Sequence, residues 1–117
     1  MSGFENLEVW KRSMRLSVEV YKYFAKNNDY GFKDQITRSS LSIPSNIAEG
    51  SGRSTKKDNI NFLYYSSGSC AELRTQIYIG MKIEYIETET GNRWISESKE
   101  ISKMLHGLIK SLKPPEK

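Results

Sequence analysis

Apolar side chains recur at helical intervals through four stretches of the chain, and no stretch sustains the alternation of a strand. In the first, Leu7, Trp10, Met14, Ser17, Tyr21 and Phe24 step by three and four in turn, the narrow seam of a bundle helix. That spacing predicts a helix over residues 7–26, with Asn6 as N-cap and Glu8 in the first turn. A second helix is expected over residues 32–49, with Ile36, Ser40, Ile43 and Ile47 on one stripe. Pro44 lies inside it. A proline has no N–H to donate and its ring crowds the preceding turn, so a kink or a split is expected there. Gly50, followed by Ser51-Gly52, suits the position just past the helix end.

The third helix, over residues 56–85, is the longest. Thr55 is placed to cap it, with Asp58 three residues on in the manner of a capping box. Ile60, Leu63, Cys70, Ile77 and Met81 form one stripe; Tyr64, Ala71, Tyr78 and Tyr85 form a second; Phe62, Leu73 and Ile83 occupy another sector. A helix apolar on so many sides must be covered on as many, which makes it the central helix. After the acidic stretch around Glu84, Glu87 and Glu89 and the turn-like Gly91-Asn92, a fourth helix spans residues 93–112. There Trp94, Ser98, Ile101, Leu105, Leu108 and Leu112 alternate steps of four and three, and Pro114-Pro115 ends it. Four such helices joined by short connections make an all-α, antiparallel up-down-up-down bundle, one domain over residues 1–117.

Composition narrows what such a bundle does. One cysteine, Cys70, excludes an intrachain disulfide, and with a single histidine, His106, it falls short of a zinc ligand set. The longest uncharged stretch, residues 59–71, is too short and too rich in Ser and Asn to span a bilayer, which takes roughly 20 apolar residues. The first residues show no basic region followed by an apolar run, so a cytoplasmic location without a membrane partner is expected. Eighteen Lys and Arg against fourteen Asp and Glu leave a net charge of +4. The excess is uneven: residues 61–90 carry two basic and four acidic side chains, residues 31–60 five and three, and residues 91–117 six and three. An anionic partner is therefore compatible with the composition but not required by it.

Candidate chemistry is sparse. Di-iron bundles need Glu-x-x-His pairs, and Lys103 stands at that offset before His106, so no metal or other cofactor is expected. His106 lacks a distinctive flank and reads as a surface side chain. Cys70, among Ser66, Ser67, Gly68, Ser69 and Ala71, reads as a small buried filler. That small-residue block, with Ser39, Ser40, Ser42 and Ser45 on the second helix, suggests close backbone approach, the hydroxyls bonding back to carbonyls of their own helices. The loop Gly50-Ser51-Gly52-Arg53-Ser54-Thr55-Lys56-Lys57 is the best candidate for anion contact, though the same residues also serve simply to end one helix and cap the next. Lys11, Arg12 and Arg15 form a second basic cluster, and Lys99, Lys103, Lys110, Lys113 and Lys117 a third near the C-terminus. No RNP-type or helix-turn-helix signature accompanies them, so any nucleic-acid contact is expected to be with the backbone and salt-sensitive.

Residues 35–50, from Gln35-Ile36-Thr37-Arg38-Ser39 through Ser42-Ile43-Pro44-Ser45-Asn46-Ile47-Ala48-Glu49-Gly50, resemble the signature of the four-helix bundle family of 23S rRNA intervening sequence proteins. Leu7, Val9 and Trp10 near the start, and Phe62-Leu63 followed by Gly68-Ser69 and Glu72-Leu73, extend the resemblance over nearly the whole chain. The family pattern has a basic pair where this chain has Thr37-Arg38, and Ala where it has Ser39, which weakens nucleic-acid contact at residue 37. The resemblance implies an antiparallel bundle that assembles as a cyclic homopentamer, related to the accessory protein of diversity-generating retroelements, which works with a reverse transcriptase and nucleic acid. It implies no enzymatic activity, with RNA as the partner suggested by gene location. By it, Gln35, Arg38, Ser42, Pro44, Asn46, Glu49, Gly50, Gly68, Ser69 and Glu72 are retained family positions. Asn46, Glu49 and Glu72 are too polar for an apolar core unless paired, and Arg38 is the nearest opposite charge, so a polar cluster is expected between helices two and three or between subunits.

Together these readings favour a non-enzymatic oligomer that binds RNA, another nucleic acid or a nucleic-acid enzyme, with contacts drawn from Lys11, Arg12, Arg15, Arg38, Arg53, Lys56 and Lys57. The alternative is an interaction module without direct nucleic-acid binding. An enzyme using Glu49 or Glu72 as acid or base is the weakest reading, since no nucleophile or cofactor motif stands beside either.

Overall fold

Each of the four apolar segments forms a helix of its own. The computed structural model describes residues 3–115: a short 3-10 turn (Phe4–Asn6), then α1 (Glu8–Phe24), α2 (Tyr30–Ser51), α3 (Lys56–Lys82) and α4 (Thr88–Leu112). No strand occurs among the described residues, and none of their helices is long and apolar enough to cross a membrane. Neighbouring helices meet in opposite directions. Phe24 packs against Phe32 with tilted rings and Ser17 bonds Ser40 between α1 and α2; Ser66 reaches Ile43 and Gly80 abuts Phe32 between α3 and α2. Cys70 reaches Ser98, and Ser67 reaches His106, between α3 and α4. The result is an up-down-up-down bundle with a long axis of 49 Å.

The α1 seam is rotated from its expected position. Val9, Ser13, Leu16 and Val20 face the core together with two members of the expected seam, Ser17 and Phe24, whereas Leu7, Trp10 and Met14 are half-buried and Tyr21 is exposed. The large side chains suggested the seam, but α1 packs in the angle between α2 and α4, and smaller residues fill that angle. Met14, Val18 and Tyr21 are left beside Leu41 and Pro44 in an open apolar groove of about 380 Å³.

Helix boundaries shift for local reasons. Asn6 closes the 3-10 turn instead of capping α1; Leu7 takes the cap position without a side-chain bond. The Asp29 carboxylate caps α2 by accepting the Phe32 N–H at 3.1 Å. The helix then continues unbroken through Pro44 to Ser51, so the expected split does not occur. Thr55 caps α3, accepting the Asp58 N–H at 3.1 Å. At the other end α3 stops at Lys82, because Glu84 adopts a left-handed backbone (φ 64°) and the Gly80 carbonyl accepts from Tyr85 and Ile86.

The glycines serve proximity more than turning. Gly50 lies inside α2 and Gly91 inside α4, so neither ends or begins a helix as expected. A Cβ on Gly50 would sit 2.8 Å from Phe62 Cβ, one on Gly80 2.5 Å from Ile86 Cδ1, and one on Gly91 2.4 Å from Met81 Sδ. These are the close approaches of the bundle. The block from Ser66 to Ala71 is not one throughout: Ser66 and Cys70 face inward, but Gly68 and Ala71 are exposed.

The hydroxyls behave as expected for buried polar groups in helices. Thr37 bonds the Lys33 carbonyl, Ser39 that of Gln35 and Ser40 that of Thr37. At mid-length some also cross between helices. Ser17 and Ser40 lie 3.0 Å apart, and Ser66 donates to the Ile43 carbonyl at 2.7 Å, beside Pro44. The Cys70 thiol donates to the Ser98 carbonyl at 3.0 Å, and Arg74 Nε donates to the Ser98 hydroxyl at 2.9 Å.

Candidate nucleic-acid interface

A lysine or arginine attracts phosphate only as far as its charge is not already neutralised within the protein, so the ion pairs sort the candidates. Lys11 lies 3.7 Å from Glu8, one turn away on α1. Arg38 pairs with Asp34 at 2.9 Å and Arg53 with Glu49 at 3.1 Å, each four residues apart along α2 and just past its end. Arg12 crosses to α4, where Nε and Nη2 grip both Glu97 oxygens at 2.9 and 2.6 Å. That forked bond holds the Glu97 carboxyl below its ordinary range, against the opposing effect of burial, and raises the Arg12 guanidinium further. Arg15, Lys56 and Lys57 have no ion pair among the described residues.

Arg15 lines a groove of about 670 Å³ between α1 and α4. It shares that groove with Arg12, Arg93, Glu8, Glu19 and Glu97, three cations with three carboxylates, and Arg93 already holds Glu19 at 2.7 Å. The groove is therefore balanced in charge.

The basic end of the bundle is different. Because α3 and α4 are antiparallel, the first turn of α3 lies against the last turn of α4. Lys56, Lys57, Ile60 and Asn61 face Ser111, Leu112, Lys113, Pro114 and Pro115 across a groove of about 700 Å³. No carboxylate lines it among the described residues. Lys113 Nζ stands 5.7 Å from the centre of the exposed Tyr64 ring, and the Arg53 guanidinium lies 4.6 Å from the centre of Phe62. The sequence separates Lys56 and Lys57 from Lys113 into two clusters; the signal that joins them is the alternating direction of the helices. Lys99, Lys103 and Lys110 are exposed along α4, and Lys117 lies outside the described residues.

The other candidates are placed as follows. Gln35, Arg38, Ser42, Asn46 and Glu49 step by three, four, four and three along the outer side of α2, exposed or half-buried, while Pro44 and Gly50 are buried. Ser69 is half-buried, and Gly68 and Glu72 are exposed, on α3. Within the chain the expected polar cluster does not form: Arg38 turns to Asp34, Glu49 to Arg53, and Asn46 donates to the Ser42 carbonyl. Nearer partners along the same helix win over the longer reach to α3. Cys70 is fully buried and its thiol is pushed up by burial, opposed in part by Arg74. His106 is exposed, with Nε2 3.4 Å from the Ser67 hydroxyl.

Among solved structures, the chain is similar to a protein of unknown function from the S23 ribosomal protein family of Bacteroides thetaiotaomicron. The two share 28% identity with a TM-score of 0.81, over 87% of this chain and 98% of that one. No curated protein matches. Residues 5–107 match the family described as 23S rRNA-intervening sequence protein, a span that takes in all of the first three helices and most of the fourth. The chain belongs to the 23S rRNA-intervening sequence protein family.

Proposed function

We propose that this protein is a non-catalytic, self-associating helical bundle of the cytoplasm that binds RNA through phosphates at its basic end. The observation that carries the reading is the convergence of Lys56, Lys57 and Lys113 on one groove without a carboxylate among the described residues of its lining, while Lys11, Arg12, Arg38 and Arg53 are paired with neighbouring carboxylates. Contacts of this kind release counterions and carry little sequence information. Affinity for RNA, read by fluorescence anisotropy, is expected to fall linearly with salt on logarithmic axes. The slope should shrink by about 0.7–0.9 for each phosphate contact removed when Lys56, Lys57 and Lys113 are reversed to Glu. Salt-independent affinity, or affinity untouched by the reversal, refutes the reading.

Self-association is supported by apolar surface that one chain leaves open. Val18 (43% exposed) and Leu41 (48%) flank the α1–α2 groove, and Tyr78, Ile79 and Ile83 lie exposed on α3. The two surfaces differ, so a contact between them is head-to-tail, the kind from which closed rings such as the pentamer that the family resemblance implies are built. On the α3 flank, the exposed Glu72 is then available to a neighbouring subunit, and Gln76, one turn on, has a buried Oε1 without a hydrogen-bond partner among the described residues. Light scattering of the wild type is expected to give a multimer, and of Val18→Glu with Leu41→Glu a smaller species. A wild-type monomer refutes self-association. The same apolar surface favours the second reading, an interaction module without nucleic acid; under it, reversing Arg53, Lys56 and Lys57 leaves partner binding intact.

A further inference from the structure

Phosphate attraction accounts for the lysines of the basic end but not for what lies between them. The groove is floored by Ile60, Leu112 and the rings of Pro114 and Pro115, and Tyr64, 44% exposed, stands at its side with Lys113 Nζ near its face. On α3, Lys56, Lys57, Ile60, Asn61 and Tyr64 fall on one face within about two turns, roughly 12 Å along the axis. Cation, apolar floor, side-chain amide and aromatic ring therefore follow one another along a single track.

A duplex cannot use that sequence of groups. It presents phosphate and sugar outward and keeps its base faces stacked inside, so it would press a charged backbone onto the apolar floor and leave the ring without a partner. An unpaired nucleotide carries an anionic phosphate and a free π-face together, and single-strand binders combine a basic groove with aromatic platforms for that reason. We infer that the groove between the start of α3 and the end of α4 selects unpaired nucleic acid, with phosphates on Lys56, Lys57 and Lys113 and a base stacked on Tyr64. Asn61, which lines the groove between them, offers a donor and an acceptor to the edge of that base.

The inference rests on the proposed RNA binding, and the test separates the two. Anisotropy is measured for the full chain with a labelled unstructured RNA strand and with a blunt RNA duplex of the same length, at one salt concentration. The strand is expected to bind more tightly. Tyr64→Ala, at a partly exposed position without a hydrogen bond among the described residues, should weaken the strand by at least about fivefold, the lower end of what a stacked ring contributes, and leave the duplex unchanged. Tyr64→Phe keeps the ring and should bind as the wild type does, which also guards against a folding defect in the alanine variant. Equal binding of strand and duplex, or equal losses in the Ala and Phe variants, overturns the selectivity while leaving RNA binding standing. Binding of neither probe overturns both.

Discussion

Gly50→Ala and Gly107→Ala make the same chemical change inside helices, yet the structure gives them opposite signs. Gly107 lies exposed within α4, and a Cβ built there meets nothing within 4 Å. Alanine there removes the cost of holding a glycine in a helix, so the variant should be more stable by about 0.5–1 kcal/mol. At Gly50 the added methyl meets Phe62 Cβ and Asn59 Oδ1 at 2.8 Å, and the Asn59 carbonyl oxygen at 3.1 Å. Two of those three atoms are a Cβ and a backbone oxygen, which no rotamer change can move. The end of α2 must therefore back away from the start of α3. Overpacking of this kind costs about 1–3 kcal/mol, which exceeds the helix-propensity gain. Gly50 also lies in the last turn of α2, where that gain is reduced by fraying. The net expectation is a loss of about 1–2 kcal/mol. Urea denaturation followed by circular dichroism, at equal protein concentration so that any association contributes equally, reads both as shifts of the midpoint at constant slope. The reasoning fails if Gly50→Ala raises the midpoint, or if Gly107→Ala lowers it.

Other expectations follow from single contacts. Ser66→Ala removes the hydroxyl that reaches the Ile43 carbonyl and should cost about 1 kcal/mol in the same assay; no change would mean that the carbonyl is satisfied without it. The carboxyls of Glu97 and Asp29 are held low, the first by Arg12 and the second by the Phe32 N–H and then the Tyr85 hydroxyl. Groups with depressed folded-state values stabilise above the ordinary carboxyl range, and the contribution is lost as pH falls through the depressed value. Glu97→Gln should therefore cost about 1 kcal/mol at neutral pH and flatten the acid limb of the stability curve; an acid limb identical to the wild type would refute the pairing. Cys70, buried and with its thiol pushed up, should react with a thiol reagent only as fast as the bundle opens, so labelling that ignores denaturant would place it at the surface.

The main stripes of α2, α3 and α4 were legible because steps of three and four admit few alternatives once a helix is granted. Ile36, Ile43 and Ile47, Leu63, Cys70 and Ile77, and Trp94, Ile101 and Leu105 are all buried as spaced. The second stripe of α3 is not covered as expected: Tyr64, Ala71 and Tyr78 are exposed, as is Ile83, because among the described helices α3 packs only between α2 and α4. The α1 seam was misread because size and burial were equated, whereas Met14 and Tyr21 lie at the flank and Val9 and Leu16 at the centre. The start of α4 was hidden because Gly91-Asn92 looks like a turn in sequence, and only the position of Met81 over Gly91 explains the glycine. The turn itself is made by Glu84, a residue type with no preference for left-handed backbone. At the candidate interface, the pairing of Arg38 with Asp34 and of Arg53 with Glu49 follows from their four-residue spacing and was open to a local reading. The grip of Arg12 on Glu97 and the meeting of Lys56 with Lys113 depend on which helix ends lie together, which spacing along one helix does not contain.

The crossing hydroxyls at mid-length bear on register. Apolar stripes of Ile and Leu repeat, so a helix displaced along its neighbour by one turn, about 5.4 Å, still buries hydrocarbon. Polar contacts do not repeat in this way. A slip of α4 along α3 would take the Ser98 carbonyl from Cys70 and the Ser98 hydroxyl from Arg74, leaving polar groups unsatisfied in an interior where each costs about 1–3 kcal/mol. Ser66 and Ile43 index α3 against α2 in the same way, and Ser17 and Ser40 index α2 against α1. The penalty for slippage is concentrated at the middle of the bundle, but what it fixes is at the tip: one turn of displacement would separate Lys113 from Tyr64 and open the groove that faces Lys56.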